Sequence, residues 1–127
     1  MKGQKNLSRR ERQIMDIVYE QNEATVAQVL ELIPDPPSYS SVRALLRVLE
    51  EKGHLKHKQI GPRYIYSPTV SREAARQNAL RHIMKTFFDN STEEVMAALL
   101  DIAEDELTAQ EYKRLTELIK KAQKEGR

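Results

Sequence analysis

Two arginines four residues apart are the strongest candidates for chemistry in this chain. Arg43 and Arg47 lie within residues 38–53, a segment with helical spacing of its apolar residues. At this spacing the two side chains share one helix face. A guanidinium donates two parallel hydrogen bonds to guanine O6 and N7, or binds a phosphate. The pair therefore indicates a DNA contact, while a solvated helix face is the alternative for these residues taken alone.

Three smaller residues complete this outer, amino-terminal side of the predicted helix. They are Ser40, Ser41 and Ala44. Hydroxyl groups and free amides at a helix start bind anionic oxygen, so both serines are candidates for phosphate contacts. Helix capping explains the two serines equally well. The predicted reading surface is Ser40, Ser41, Arg43, Ala44 and Arg47.

A short two-stranded ribbon is predicted directly after this helix. Lys56, Lys58 and Arg63 flank a Gly61-Pro62 turn. Cations at such a position can lie along the sugar-phosphate backbone and add affinity without reading sequence. Tyr64 and Tyr66 share one face of the second strand, and we expect them to pack on the core, because a paired duplex offers no unstacked base.

The amino terminus carries four positive charges in ten residues, at Lys2, Lys5, Arg9 and Arg10. An arm that contacts phosphate and a solvated tail are both consistent with this pattern. The sequence alone does not choose between them.

Three helices are predicted to position these residues. Ser8 and Glu11 form a capping-box pattern that begins the first helix, and Thr25 is expected to cap the second. The proline-rich residues 34–37 end the second helix. The third helix is expected to begin near residues 38–41, to end at Gly53 and to bury Val42, Leu45, Leu46 and Leu49.

The carboxy-terminal part follows a different pattern. Three further helices are expected, from Ser71, from about Thr92 and from a capping box at Thr108. Domains of this size bury only about 60% of their unfolded surface, so we expect the apolar faces to pair with a second copy. The predicted dimer contacts are Leu80, Ile83, Met84, Phe87, Phe88, Val95, Leu99, Leu100, Leu115, Leu118 and Ile119.

These elements predict a mainly α protein with two domains. A winged helix-turn-helix domain of three helices and a two- or three-stranded wing occupies residues 1–70. A three-helix dimerisation domain occupies residues 71–127. Helix three in the major groove, with paired half-sites for a homodimer, is the geometry that such a protein uses.

Composition limits the other classes of function. The net charge is only +2, and residues 89–111 hold eight acidic residues and no lysine or arginine. The chain has no cysteine, and His54 and His57 would point to different faces of a strand, so no metal or other cofactor is expected. No catalytic ordering is evident, so we do not expect an enzyme. Apolar runs are short, which favours a cytoplasmic protein without membrane insertion.

The sequence resembles the BlaI/MecI/CopY family of bacterial transcriptional repressors over nearly its whole length. The resemblance is carried by residues 7–15, by Thr25-Val26, by residues 41–53 and by residues 64–68. It implies a winged helix, a helical dimerisation domain and a pseudopalindromic DNA operator. It also implies a membrane sensor-protease as the partner that induces release in the β-lactam-responsive members.

The chain departs from the family pattern at several positions. Ala44 stands where Thr is usual and Val48 where Arg is usual, so the operator sequence does not carry over. The Asn-Phe bond that is cut during induction corresponds to Asp101-Ile102 here, and the cysteine-rich tail of the copper-responsive members is missing. The inducing signal is therefore open. Two other classes stay as alternatives: a winged-helix protein-interaction module, suggested by the modest charge, and a metal-dependent enzyme using acidic residues 101–106.

Overall fold

The computed structural model describes residues 7–126. Among these the elements in chain order are α1 Arg9–Gln21, α2 Val26–Leu32, α3 Tyr39–Glu51, β1 Leu55–Ile60, β2 Arg63–Pro68, α4 Arg72–Phe87, α5 Thr92–Ile102 and α6 Ala109–Lys124. The chain forms two compact units, one reaching to Ala79 and the other beginning at Leu80. The mainly α architecture with a winged helix-turn-helix is confirmed. The predicted domain limit at residue 70 stays a prediction.

Side-chain caps fix where the helices begin. Ser8 and Glu11 form the predicted capping box of α1, and Thr25 and Gln28 form another at α2. At α3 the cap is Ser38, whose hydroxyl accepts from the Ser41 amide. The alternative that Ser40 or Ser41 caps α3 is therefore wrong, because both lie inside the helix. Each cap satisfies an amide that has no partner within its helix.

The core of the first unit joins α1, α2 and α3 to the sheet. Most of the predicted helical stripe is buried, and Val42, Leu46 and Leu49 of α3 are fully enclosed. Leu45, predicted to be buried with them, is only partly so, because it lies at the edge of the buried stripe. Leu55 and Tyr66 bring the two strands into the same core. This burial holds α3 firmly while its opposite face stays exposed.

The wing is an antiparallel hairpin with Ile60 opposite Arg63 across the turn. Gly61 at the turn has a φ of 60°, a conformation that costs glycine little. A third strand is reduced to one residue: Ala24 and Tyr66 exchange two backbone hydrogen bonds of 2.9 and 2.8 Å. These two bonds attach the wing to the segment between α1 and α2.

The second unit lacks a buried core of its own. None of its described side chains is buried, and large apolar groups are exposed along all three helices. The most exposed are Phe87 at 74%, Ile102 at 77% and Leu118 at 61%. The predicted capping box of α6, formed by Thr108 and Glu111, is confirmed. No helix among residues 7–126 has the length and apolar character needed to cross a bilayer.

Candidate nucleic-acid interface

The outer face of α3 carries the predicted reading residues. Ser40, Ser41, Arg43, Ala44 and Arg47 are all exposed. They lie opposite the buried valine and leucines, so core packing sets the direction in which they point. Within the described chain, neither arginine forms an ion pair with a carboxylate. Both guanidinium groups thus keep their donors for a ligand.

The hydroxyl groups at the start of α3 are linked to one another. Ser38 Oγ lies 3.2 Å from Ser40 Oγ and donates to Ser41 Oγ at 2.9 Å. Ser38 therefore does the capping, and Ser40 and Ser41 lie in the first turn beside it. An anion at this end would meet exposed hydroxyl groups and the positive end of the helix dipole.

A groove separates α3 from the wing. Its lining residues are Ser40, Arg43, Ala44, Arg47, Glu50, His57, Tyr64 and Tyr66. The structure thus brings four of the predicted reading residues together with two residues, Glu50 and His57, that the sequence patterns do not connect. In the sequence, the signal that could have connected Glu50 with this surface is its position three residues after Arg47, which makes the two side chains neighbours on the helix. Nothing in the sequence paired it with a particular histidine of the wing.

His57 is held on two sides within this groove. Its Nδ1 lies 2.7 Å from both carboxylate oxygens of Glu50, which joins α3 to β1. Its ring stacks on Tyr64 with centroids 4.2 Å apart and planes 9° apart. The expectation of core packing is confirmed for Tyr66 and wrong for Tyr64, whose ring is exposed and stacks on His57 instead. The cross-strand register explains this, because Tyr64 lies nearer the hairpin turn.

The pKa of Tyr66 reflects the charges around the base of the groove. Burial raises the pKa of its phenol, and the charges of Glu50 and Tyr64 raise it further. Arg43 and Arg47 act in the opposite direction and lower it. Both guanidinium groups therefore lie close enough to influence this hydroxyl. The groove combines two permanent cations with one carboxylate.

The cations of the wing lie on the other side of the hairpin. Lys56, Lys58 and Arg63 are exposed and share the sheet face opposite His57, since neighbouring side chains on a strand alternate. Lys58 is 3.8 Å from Glu23, with both side chains at least half exposed. The structure does not bring these three cations into the groove. They form a separate basic surface on the hairpin.

Of the amino-terminal cations, Arg9 is exposed, whereas Arg10 is half-buried and bonded to backbone carbonyls. Arg10 donates to the carbonyl oxygen of Pro34 at 2.6 Å and also to that of Asp35. It thereby ties α1 to the connector between α2 and α3, and a phosphate would have to compete with these carbonyls. Lys2 and Lys5 lie outside the described residues.

Comparison with known proteins agrees with this geometry. The sequence profile described as "Penicillinase repressor" matches residues 7–121, which is nearly the whole chain. The chain belongs to the penicillinase repressor family. This membership confirms the resemblance drawn from the sequence. It makes the protein a DNA-binding transcriptional repressor of the winged-helix type and places it with regulators rather than enzymes.

Two solved structures are similar at low sequence identity. One is described as "Mechanism for regulation of DNA binding of Bordetella bronchiseptica BpsR by 6-hydroxynicotinic acid"; it is 14% identical, with a TM-score of 0.48 over 94% of this chain and 77% of that one. The other is a zinc-responsive MarR family member, ZitR of Lactococcus lactis, at 18% identity and a TM-score of 0.48 over 98% and 80%. No curated protein sequence matches the chain.

Among residues 7–126, no three His, Cys, Asp or Glu side chains lie close enough together to hold a metal ion. The acidic residues 101–106 lie at the end of α5 and the turn after it, and their carboxylates are exposed. The hypothesis of a metal-dependent enzyme has no cluster of ligands to support it in this part of the chain.

Proposed function

We propose that this protein represses transcription as a homodimer that binds a pseudopalindromic DNA operator. The observation that carries the proposal is the outer face of α3. Among residues 7–126 it presents two guanidinium groups without carboxylate partners, on a helix whose other face is fixed in the core. A helix held in this way can enter the major groove without rearranging.

The base contacts are assigned to α3. Arg43 and Arg47 would donate to guanine O6 and N7 or to phosphate, and Ala44 between them would offer a methyl group to thymine. Ser40 and Ser41 would contact phosphate at the start of the helix. This division places base reading in the middle of the exposed face and backbone contacts at its end.

The wing supplies backbone contacts in this proposal. Lys56, Lys58 and Arg63 form one exposed basic face, and Arg9 adds a further exposed cation. Such contacts contribute affinity that depends on salt and carries no sequence preference. Arg10 is the weakest member of the predicted contact set, because its guanidinium already has two carbonyl partners.

The dimer is assigned to residues 71–127, with residues 1–70 as the DNA-binding domain. The support is the absence of buried side chains among the described residues from Leu80 onwards. So many exposed apolar groups indicate a surface that is buried in an interface. A second copy of the chain supplies a matching apolar surface by symmetry. The apolar residues at this interface are those predicted from the sequence, from Leu80 in α4 to Ile119 in α6.

The test is binding of purified protein to duplexes that it selects from a random library, followed by fluorescence anisotropy at several salt concentrations. We expect a selected, two-fold symmetric sequence to bind far more tightly than its scrambled version. Replacing Arg47 with Ala should weaken binding, whereas Arg76→Ala on α4 is the control and should not. Equal binding to selected and scrambled DNA would favour the protein-interaction module instead.

Induction is the remaining part of the function. The bond between Asp101 and Ile102 lies at the end of α5, and the Ile102 side chain is 77% exposed. Release by a membrane sensor-protease stays a prediction from the family resemblance. Incubation with the protease domain of such a sensor, followed by mass spectrometry, would show whether this bond is cut.

A further inference from the structure

The contact between His57 and Glu50 lies inside the proposed DNA interface, where a carboxylate is unfavourable. Glu50 lines the same groove as Arg43 and Arg47. Like any carboxylate it repels phosphate, and as the residue three positions after Arg47 it is a natural partner for that guanidinium. An Arg47–Glu50 pair would occupy the donors that the DNA contact needs.

The structure shows the carboxylate bound elsewhere. Both oxygens of Glu50 lie 2.7 Å from Nδ1 of His57, and within the described chain neither arginine pairs with an acid. The imidazole is kept in place by its stack on Tyr64, at 4.2 Å between ring centroids. The wing thus holds the Glu50 carboxylate by an imidazole that is itself fixed.

We propose that His57 is a positioning residue of the DNA interface, which restrains the Glu50 carboxylate so that Arg43 and Arg47 stay available to DNA. The inference rests on the proposed function, because it matters only if α3 reads DNA. It adds two residues, Glu50 and His57, that do not themselves contact a base. It also makes affinity depend on the charge of one imidazole in each subunit.

The direction of this pH dependence follows from charge. Protonated His57 and ionised Glu50 together carry no net charge, whereas neutral His57 leaves one negative charge beside the phosphates. Affinity should therefore be higher where His57 is protonated than where it is neutral. The charged or titratable groups that line the groove with His57 are Arg43, Arg47 and Glu50 on α3 and Tyr64 and Tyr66 on β2.

The other groups do not produce the same change. Burial raises the pKa of Tyr66, so its phenol stays neutral and adds no charge to the groove. Lys56 and Lys58, on the same strand as His57, point to the opposite face of the sheet. His54 and His82 are the other histidines of the chain, and neither lines the groove. A His54→Gln variant therefore serves as the matched control.

The experiment measures affinity for a duplex selected by the unmodified protein, between about pH 5.5 and 8.5. Unmodified protein and His54→Gln should both lose about three- to tenfold in affinity across this range, the effect of removing one cation per subunit. His57→Gln keeps a donor for Glu50 without a titrating group, so its profile should be flat. His57→Ala should bind at least about fivefold more weakly than unmodified protein at pH 6.

The deciding variant carries both substitutions, His57→Ala and Glu50→Gln, in the same chain. Removing the carboxylate should restore most of the affinity that His57→Ala removes, since the carboxylate that lines the groove with Arg47 is then gone. A structural role of His57 in supporting Tyr64 would not be rescued in this way. Circular dichroism of each variant confirms that it is folded. If the unmodified protein binds its selected duplex specifically and the double variant stays as weak as His57→Ala, this inference is wrong while the proposed function stands. No selective binding by the unmodified protein overturns both.

Discussion

Replacing Glu11 with Gln should destabilise the first unit. Glu11 is 4% exposed, accepts from the Ser8 amide at 2.8 Å and pairs with Lys52 Nζ at 2.9 and 3.0 Å. It thereby joins the start of α1 to the end of α3. Glutamine keeps one oxygen for the Ser8 amide, but its charge is lost and its NH2 group meets an ammonium, which cannot accept a hydrogen bond.

The expected loss follows from the exposure of the two partners. Breaking a buried pair by removing one member costs about 3–5 kcal/mol. The Lys52 side chain is 37% exposed, so water can solvate its ammonium after the change. The loss should therefore be nearer about 1–2 kcal/mol. For a unit of this size that lowers the melting temperature by roughly 5–15 °C.

Glu23→Gln is the matched control. Glu23 pairs with Lys58 at 3.8 Å, and the two side chains are 50% and 62% exposed. Loss of this exposed pair should cost about 0.5 kcal/mol or less. Urea unfolding followed by circular dichroism at pH 7 compares the two variants. Equal stability of Glu11→Gln and Glu23→Gln would refute the reasoning, because burial would then make no difference.

The pH dependence of this difference has a defined sign. Burial alone would raise the pKa of Glu11, but the Ser8 amide and the Lys52 ammonium together outweigh it and hold the pKa below its usual value of 4.5. A carboxyl whose pKa is lowered by folding stabilises the protein above its unfolded pKa, and this stabilisation is lost as the pH falls through the folded value. The advantage over Glu11→Gln should be constant above about pH 5.5 and should shrink below about pH 4.5.

Three further predictions concern DNA and assembly. Arg43→Ala should cost about 1–3 kcal/mol of operator affinity and relax preference at one position, which selection from a random library would detect; unchanged affinity would remove Arg43 from the residues that bind DNA. Phe87→Asp should convert the dimer to single subunits in sedimentation experiments, since it places a charge in an apolar interface; a dimer that persists would mean that another surface pairs. Lys56→Ala should make the slope of log affinity against log salt shallower by about 0.9 if its ammonium binds one phosphate; an unchanged slope would show that this lysine binds none.

The fold of the first unit was predictable because its signals are local. A capping box at Ser8 and a cap at Thr25 fixed two helix starts, and the prolines after α2 fixed its end. The spacing of Val42, Leu46 and Leu49 oriented α3, and that orientation placed Arg43 and Arg47 outside. These features depend on residues within a few positions of one another, which sequence patterns report directly.

The groove was not predictable in the same way because it depends on contacts between distant segments. His57 meets Glu50 only because the hairpin returns beside α3, and Arg10 meets Pro34 and Asp35 across 24 and 25 positions. From the sequence alone, His57 and Arg10 each had several plausible roles. The error for Tyr64 has the same origin: period-two alternation gave its face correctly but not how far along the strand the core extends.

The Arg10 side chain also limits how far the DNA-reading part could be shortened. A peptide containing only α2, α3 and their connector would keep every residue on the outer face of α3. It would lack the guanidinium that binds the two carbonyls of the connector, and it would lack the α1 residues that share the core with Val42 and Leu46. Because short isolated helices are marginal in water, the two helices would not keep their angle. The smallest segment that could be moved to another protein and still present α3 to DNA must therefore include α1.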